Sequence, residues 1–254
     1  MAPIIVLTIM VDARRSSAGA LLFAWSGAAL FVASLAYFLY CYLVRFGAAG
    51  PPEASSAAAL RAVLIDAALF SAFALHHSVA AREPIKTRLR RVVPNGLERS
   101  VYTWLASVLF ILVCRWWQPV PGELYHLTGA FAAPGYLVQL LGLVLTVRSS
   151  ARLDVLDLAG VRSLLEPRGA APSHVPLETA GPYGFVRHPL YFAWVLLVFA
   201  APHMTMTRLV FALISSIYLA IAIPLEERSL IRTFGADYRA YQKHVRWRMI
   251  PGLY

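Results

Sequence analysis

Charged residues are scarce in this chain. Only 14% of its 254 residues are Asp, Glu, Lys or Arg, while 59% are hydrophobic; a soluble domain carries about 25% charged residues. That deficit excludes an ordinary water-soluble core. It leaves one membrane domain, with no room for a second domain of normal size. Cysteine is nearly absent as well. Cys41 and Cys114 both lie inside apolar runs, where they read as packing residues. No CxxC or metal-finger spacing occurs, and no metal is assigned. A GxGxxG turn of the soluble dinucleotide folds is also missing. Acidic residues number 13 against 23 Lys and Arg, for a net charge of +10. In a soluble protein that surplus would suggest nucleic acid. Here the basic residues sit between apolar runs, so the expected partner is an anionic bilayer face and not nucleic acid. The run Pro3–Val11 lacks a basic leader and precedes Asp12, Arg14 and Arg15. It is not read as a cleaved signal peptide.

Six apolar stretches are present, at about Ala18–Phe46, Ala57–Ala81, Leu97–Trp117, Pro134–Ser149, Pro189–Ala201 and Thr207–Leu225. A helix needs about 20 residues to cross roughly 30 Å of hydrocarbon. The first three reach that length, the fourth is marginal and the fifth is short. The last two are expected to form a tight helical hairpin turned at Pro202-His203-Met204-Thr205. Charge asymmetry supports six alternating spans with both termini in the cytoplasm. Of the 23 Lys and Arg, all but Arg45, Arg61, Arg115 and Arg208 then fall in inner segments, the positive-inside pattern. Asn95 with Glu98 resembles a capping box for the third helix. Pro189 suits the first turn of the fifth, and Gly235 suits a helix stop. Trp116, Trp117 and Tyr125 fit an interfacial belt.

Chemistry concentrates in the last quarter. The run Gly181-Pro182-Tyr183-Gly184-Phe185-Val186-Arg187-His188-Pro189-Leu190-Tyr191 leads into the fifth helix. A helix start with Arg187 and His188 beside it suits an anion such as an amino-acid carboxylate; the alternative is a loop whose Arg meets lipid phosphate. Glu226 and Glu227 follow Pro224. Carboxylates at the edge of an apolar helix are costly unless paired or used. They either meet a bound cation or hydroxyl groups, or answer Arg228 and Arg232. The stretch Phe234–Gln242 reads as an amphipathic segment on the membrane surface, with Tyr238 and Tyr241 on one side.

Together these three segments resemble the C-terminal signature of the isoprenylcysteine carboxyl methyltransferase and phospholipid methyltransferase superfamily, over about residues 178–251. The resemblance implies an all-α, polytopic membrane bundle with a C-terminal helical hairpin and a cytoplasmic site for S-adenosylmethionine. It implies that Gly181, Tyr183, His188, Pro189 and Tyr191 line the cofactor loop. Glu226 or Glu227 would hold the cofactor's amino or ribose group, and Arg187 its carboxylate. Residues 1–150 would form a four-helix part and residues 178–254 the cofactor part of one domain.

The N-terminal half refines this reading. Leu75–Arg82, Pro94–Tyr102 and Trp116-Trp117-Gln118-Pro119 resemble bacterial methanethiol S-methyltransferases and a group of denitrification-associated membrane proteins. The complete acidic pair and the Phe-Gly-Tyr-Tyr tail favour the first group. The expectation is therefore methyl transfer to a small thiol, giving dimethyl sulfide from methanethiol, in a bacterial inner membrane. Isoprenylcysteine, a phospholipid or another lipophile remains an alternative acceptor, and a non-catalytic role an alternative function. A thiol must lose its proton to react, and a nearby His is suited to accept it. His76 and His188 are the candidates; His77, Tyr238 and Tyr241 are candidates for the acceptor side. A structural, hydrogen-bonded His76 is the alternative. Asp66 is expected to pair within the bundle. Oligomeric state is left open.

Overall fold

A computed structural model describes residues 18–48, 55–80, 96–151, 160–165 and 177–254, with Ile85, Arg88, Val93 and Leu156. Arg14, Arg15, Arg82, Lys86, Arg90, Arg91, Asn95, Arg152 and Arg168, and the run Pro3–Val11, lie outside the described residues. A helix forms at each of the six apolar stretches: α1 (Ala18–Leu43), α2 (Ser56–Ala80), α3 (Glu98–Trp116), α4 (Ala133–Ser150), α5 (Pro189–Phe199) and α6 (Met206–Phe234). A surface helix, α7 (Ala236–His244), follows. The architecture is an all-α membrane bundle.

Four segments are long and apolar enough to cross a bilayer: Ala18–Gly47, Ser56–Val79, Gly129–Ser150 and Met206–Phe234. Helix α3 is not among them, because Glu98 and Arg99 open it and Arg115 closes it. Helix α5 has 11 residues, about 16 Å of rise. Glu98 Oε2 accepts the Gly96 N–H at 3.0 Å at the start of α3.

Two details depart from expectation. The turn between α5 and α6 is a strand, β2 (His203–Thr205), paired antiparallel with β1 (Glu123–His126). Helix α6 does not stop at Leu225 but runs through Pro224 and both glutamates to Phe234. Proline at position 224 has no N–H to offer the carbonyl four residues back. That carbonyl, Ala220 O, instead accepts the Tyr254 hydroxyl at 3.2 Å.

The described residues group into two interleaved units. The first draws on 18–36, 76–80, 96–111 and 160–165. Here α1 and α3 meet closely at Gly27, where a Cβ would lie 2.8 Å from the Trp104 ring. Trp104 Nε1 donates to Phe23 O at 3.1 Å. Gly160, at φ 77°, passes so near Ser100 that a Cβ would sit 2.7 Å from its nitrogen.

The second unit draws on 37–48, 55–75, 112–151 and 177–254. Its core is aromatic. Fully buried Phe211 is ringed by Phe38, Tyr42, Phe46, Phe70, Trp117 and Trp194. Trp117 thus serves the core, while its neighbour Trp116 is exposed. Helices α4 and α5 approach backbone to backbone. A Cβ on Gly142 would stand 2.8 Å from Ala193 O, and one on Gly135 2.7 Å from Ala200 O. Small residues of this kind let helices pack where lipid supplies no hydrophobic drive. Gln139 adds a buried bond to Leu197 O at 2.9 Å. Asp66 pairs with no cation among the described residues; its Oδ1 accepts the Gln118 N–H at 2.8 Å. Arg208 ties the start of α6 to the end of α1, donating to Tyr42 O at 2.9 Å and Leu43 O at 2.7 Å. A cation suits the carbonyl-rich end of a helix. Gly47 leaves the space for it, since a Cβ there would lie 2.4 Å from Arg208 Nη2.

Candidate active site

The loop before α5 and the last turns of α6 converge at one end of the second unit. The loop begins with a 3-10 turn, Gly181–Gly184, entered at Gly181 with φ 59°. Beyond it the backbone extends and pairs with a distant segment. Arg187 N–H donates to Trp247 O at 2.9 Å, and His188 N–H to Arg248 O at 2.8 Å. Two consecutive side chains are thereby fixed at the mouth of α5, where Pro189 starts the helix.

Arg187 is buried, and two of its three guanidinium nitrogens are bonded. Nε donates to Glu227 Oε1 at 2.6 Å, and Nη1 to Val245 O at 2.7 Å and Arg246 O at 2.8 Å. Successive helical residues point about 100° apart, and this splits the acidic pair. Glu227 faces inward at 5% side-chain exposure, while Glu226 is 43% exposed. Besides Arg187, Glu227 meets Gln242 Nε2 at 3.2 Å and Arg248 Nε at 3.3 Å. Glu226 accepts the Tyr191 hydroxyl at 2.7 Å. Between the carboxylates stands the buried His188 ring, with Nδ1 3.6 Å from Glu226 Oε2 and Nε2 3.5 Å from Glu227 Oε1. Tyr191 stacks on it at 5.3 Å, nearly parallel.

Helix α7 closes the back. Tyr238 and Tyr241 turn inward onto Leu177, Leu230, Ile231, Phe234 and Val245. They are buried, whereas a surface anchor would expose them to lipid. The Tyr241 hydroxyl donates to Tyr183 O at 2.6 Å. Burial, then the Glu226 and Glu178 carboxylates, push the Tyr183 phenol up to about 12. It therefore stays a hydrogen-bond donor at neutral pH. Burial also raises Tyr238, with the Glu227 charge adding to it.

The loop, the acidic pair and the tyrosines are thus brought together. Gly181, Tyr183, Arg187, His188, Pro189, Tyr191, Glu226, Glu227, Tyr238 and Tyr241 all belong to this end of one unit. Two polar atoms among them are buried without a hydrogen-bond partner among the described residues, His188 Nε2 and the Tyr238 hydroxyl. An exposed carboxylate and unfilled donors and acceptors fit a small molecule rich in hydroxyl and ammonium groups. Gln242 closes the Phe234–Gln242 segment but was not assigned to the site, and Arg248 and Tyr254 were not expected there; all three enter by pairing across the chain. The Arg248 guanidinium also lies 5.2 Å from the Tyr254 ring centroid.

His76 and His77 belong to the first unit. The His77 Nδ1 and the Tyr102 hydroxyl share a hydrogen bond of 2.7 Å. His76 stacks on the Tyr102 ring at 5.7 Å. Its Nε2 is buried without a hydrogen-bond partner among the described residues.

The family model of isoprenylcysteine carboxyl methyltransferases matches residues 169–232, the segment holding the loop, the hairpin and the acidic pair. The bundle and this match define a membrane methyltransferase. Over a longer stretch, the chain is 36% identical to methanethiol S-methyltransferase of Pseudomonas deceptionensis, covering 76% of this chain and 74% of that protein. The enzyme of the same name from Crocosphaera subtropica is 35% identical, over 72% and 73%. Nurim of Xenopus laevis is more distant, at 28% over 64% and 60%. The chain belongs to the family of the methanethiol S-methyltransferases. No solved structure matches it.

Proposed function

We propose that this protein transfers a methyl group from S-adenosylmethionine to a small thiol, methanethiol, at the cytoplasmic face of a bacterial inner membrane, with both termini in the cytoplasm. The observation that carries this reading is the Arg187–His188–Glu226–Glu227 cluster lying inside the family-matched segment of a chain so similar to methanethiol S-methyltransferases. We take residues 1–254 as one methyltransferase domain whose part 178–254 holds the cofactor.

When bound, the sulfonium supplies a methyl group already activated for in-line displacement. The protein's residues supply position, dryness and a proton acceptor. Glu226 is the carboxylate free to meet an ammonium or ribose hydroxyls. Glu227 acts behind it as a positioning residue, fastened to Arg187, Gln242 and Arg248. Because Nε and Nη1 of Arg187 already serve Glu227 and two carbonyls, and Arg187 is buried, the more exposed Arg248 is the better partner for a cofactor carboxylate. Gly181, Tyr183, Pro189 and Tyr191 are our candidates for the loop around the cofactor, and His77, Tyr238 and Tyr241 are candidates for the acceptor side. Proton removal from the thiol falls to His76, whose Nε2 has no hydrogen-bond partner among the described residues, or to His188.

The test is calorimetric titration of the detergent-purified protein with S-adenosylmethionine, then headspace detection of dimethyl sulfide after adding methanethiol. Binding with product supports the proposal. Binding without product moves the acceptor to isoprenylcysteine, a phospholipid or another lipophile. Absence of binding in folded protein overturns it in favour of a non-catalytic role. If His76 is the base, His76→Ala lowers turnover with cofactor affinity intact; full activity returns the proton to His188.

A further inference from the structure

Glu123, His126 and His203 meet at the β1–β2 ladder. This is the end of α6 opposite Glu227, about 30 Å away along the helix. On a regular strand, residues three apart face opposite sides, so Glu123 and His126 would diverge. The register breaks between them: Glu123 pairs with Thr205 and Tyr125 with Met204, leaving Leu124 as an extra residue. A bulge of this kind re-aims a side chain. Here it brings Glu123 round to the side of His126. Across the ladder His126 pairs with His203, and their rings stack at 3.9 Å and 12°. His203 Nε2 lies 2.9 Å from Glu123 Oε2. One ligand-type atom from each of the three falls within 4.8 Å of the others.

The backbone under this cluster is held from several directions. Leu127 N–H donates to Pro202 O, and Met206 N–H to Gly122 O, both at 2.9 Å. Arg208 Nη1 donates to His203 O from below. Small side-chain rotations on a fixed platform therefore suffice to converge the three ligand atoms. Glu123 and His126 are exposed and His203 half-buried, so an ion reaches them from solvent.

We infer that Glu123, His126 and His203 form a binding site for a divalent first-row transition-metal ion of the zinc type. Two imidazole nitrogens and one carboxylate oxygen are a donor set that such ions accept, with a fourth position left for water. Bound there, the ion clips β1 to β2 and so fastens the α3–α4 connection to the turn of the α5–α6 hairpin. The site stands apart from the methyl-transfer residues and needs none of them.

The test uses the full chain in detergent, without an oligohistidine tag and stripped with chelator. Zn²⁺ is titrated by calorimetry, and Co²⁺ is followed by its visible absorption. Expected are one equivalent of Zn²⁺ per chain, a higher melting midpoint with Zn²⁺, and a Co²⁺ spectrum of nitrogen and oxygen ligation. Losing even an outer-shell partner costs about 10–100-fold in metal affinity. His126→Ala, His203→Ala and Glu123→Gln should each weaken binding at least about tenfold. Glu123→Gln retains a hydrogen-bond acceptor for His203, which separates ligand loss from loss of fold. Exposed His244→Ala should bind as the wild type does. Absence of stoichiometric binding by folded wild-type protein overturns the inference, as does binding that survives all three substitutions.

Discussion

Adjacent glutamates do different work because a helix points them apart. Glu227→Gln leaves Arg187 buried beside a neutral partner, and breaking a buried charge pair costs about 3–5 kcal/mol. A clearly lowered melting midpoint is expected together with weakened cofactor binding. Glu226→Gln touches a half-exposed carboxylate bonded to Tyr191 alone among hydrogen-bond donors described for it. Its midpoint should hold within about 0.5 kcal/mol, while S-adenosylmethionine affinity falls roughly tenfold, about 1.4 kcal/mol. Thermal melting and calorimetry on the two variants check both outcomes; equal melting losses would show that the inward and outward assignments are mistaken. The acidic pair itself was legible in sequence, since carboxylates beside an apolar run demand a reason. Which of the two faces inward was not, because that depends on where α6 ends and what packs behind it.

Pro224 sets the behaviour of α6. It costs the helix one internal bond, and the Tyr254 hydroxyl takes up the carbonyl left behind. The two positions should therefore couple. Tyr254→Phe alone strips Ala220 O of this partner and costs about 1 kcal/mol. In a Pro224→Ala background the new N–H at 224 can claim that carbonyl, so Tyr254→Phe should cost much less. A double-mutant cycle of melting midpoints measures the difference, and strict additivity would contradict the coupling. Apolar length and punctuation made the helices legible: Pro189 and Gly235 stand at the ends they were expected to mark. Extension of α6 past Leu225 was hidden because proline usually stops a helix, and its compensation comes from Tyr254, 34 positions beyond the Ala220 carbonyl it bonds. The β1–β2 ladder was hidden for a like reason, as a strand of three residues has no period to read.

At the scale of the molecule, composition alone declared a membrane bundle. Charge placement gave a handedness across the bilayer that can be measured. Single cysteines at exposed Arg246 and at exposed Leu124, in a chain whose Cys41 and Cys114 are replaced by Ala, should label from opposite sides of sealed vesicles with a membrane-impermeant maleimide. Position 246 should react from the cytoplasmic side; reversed labelling would turn the orientation over. The C-terminal end was legible only where family likeness reached it, and Arg248 and Gln242 entered through pairing that no local pattern announces. That pairing also has a consequence for biogenesis. Arg187 relies on the Arg246 carbonyl 59 residues later, and the whole α5–α6 hairpin lies between them. The ribosome must deliver that hairpin to the membrane before Arg187 gains its carbonyl partners, and such distant contacts form late. Site assembly is thus a post-insertion event, and a nascent chain stalled between α6 and α7 would sit in the bilayer with a guanidinium that has Glu227 to meet but neither of its carbonyl partners.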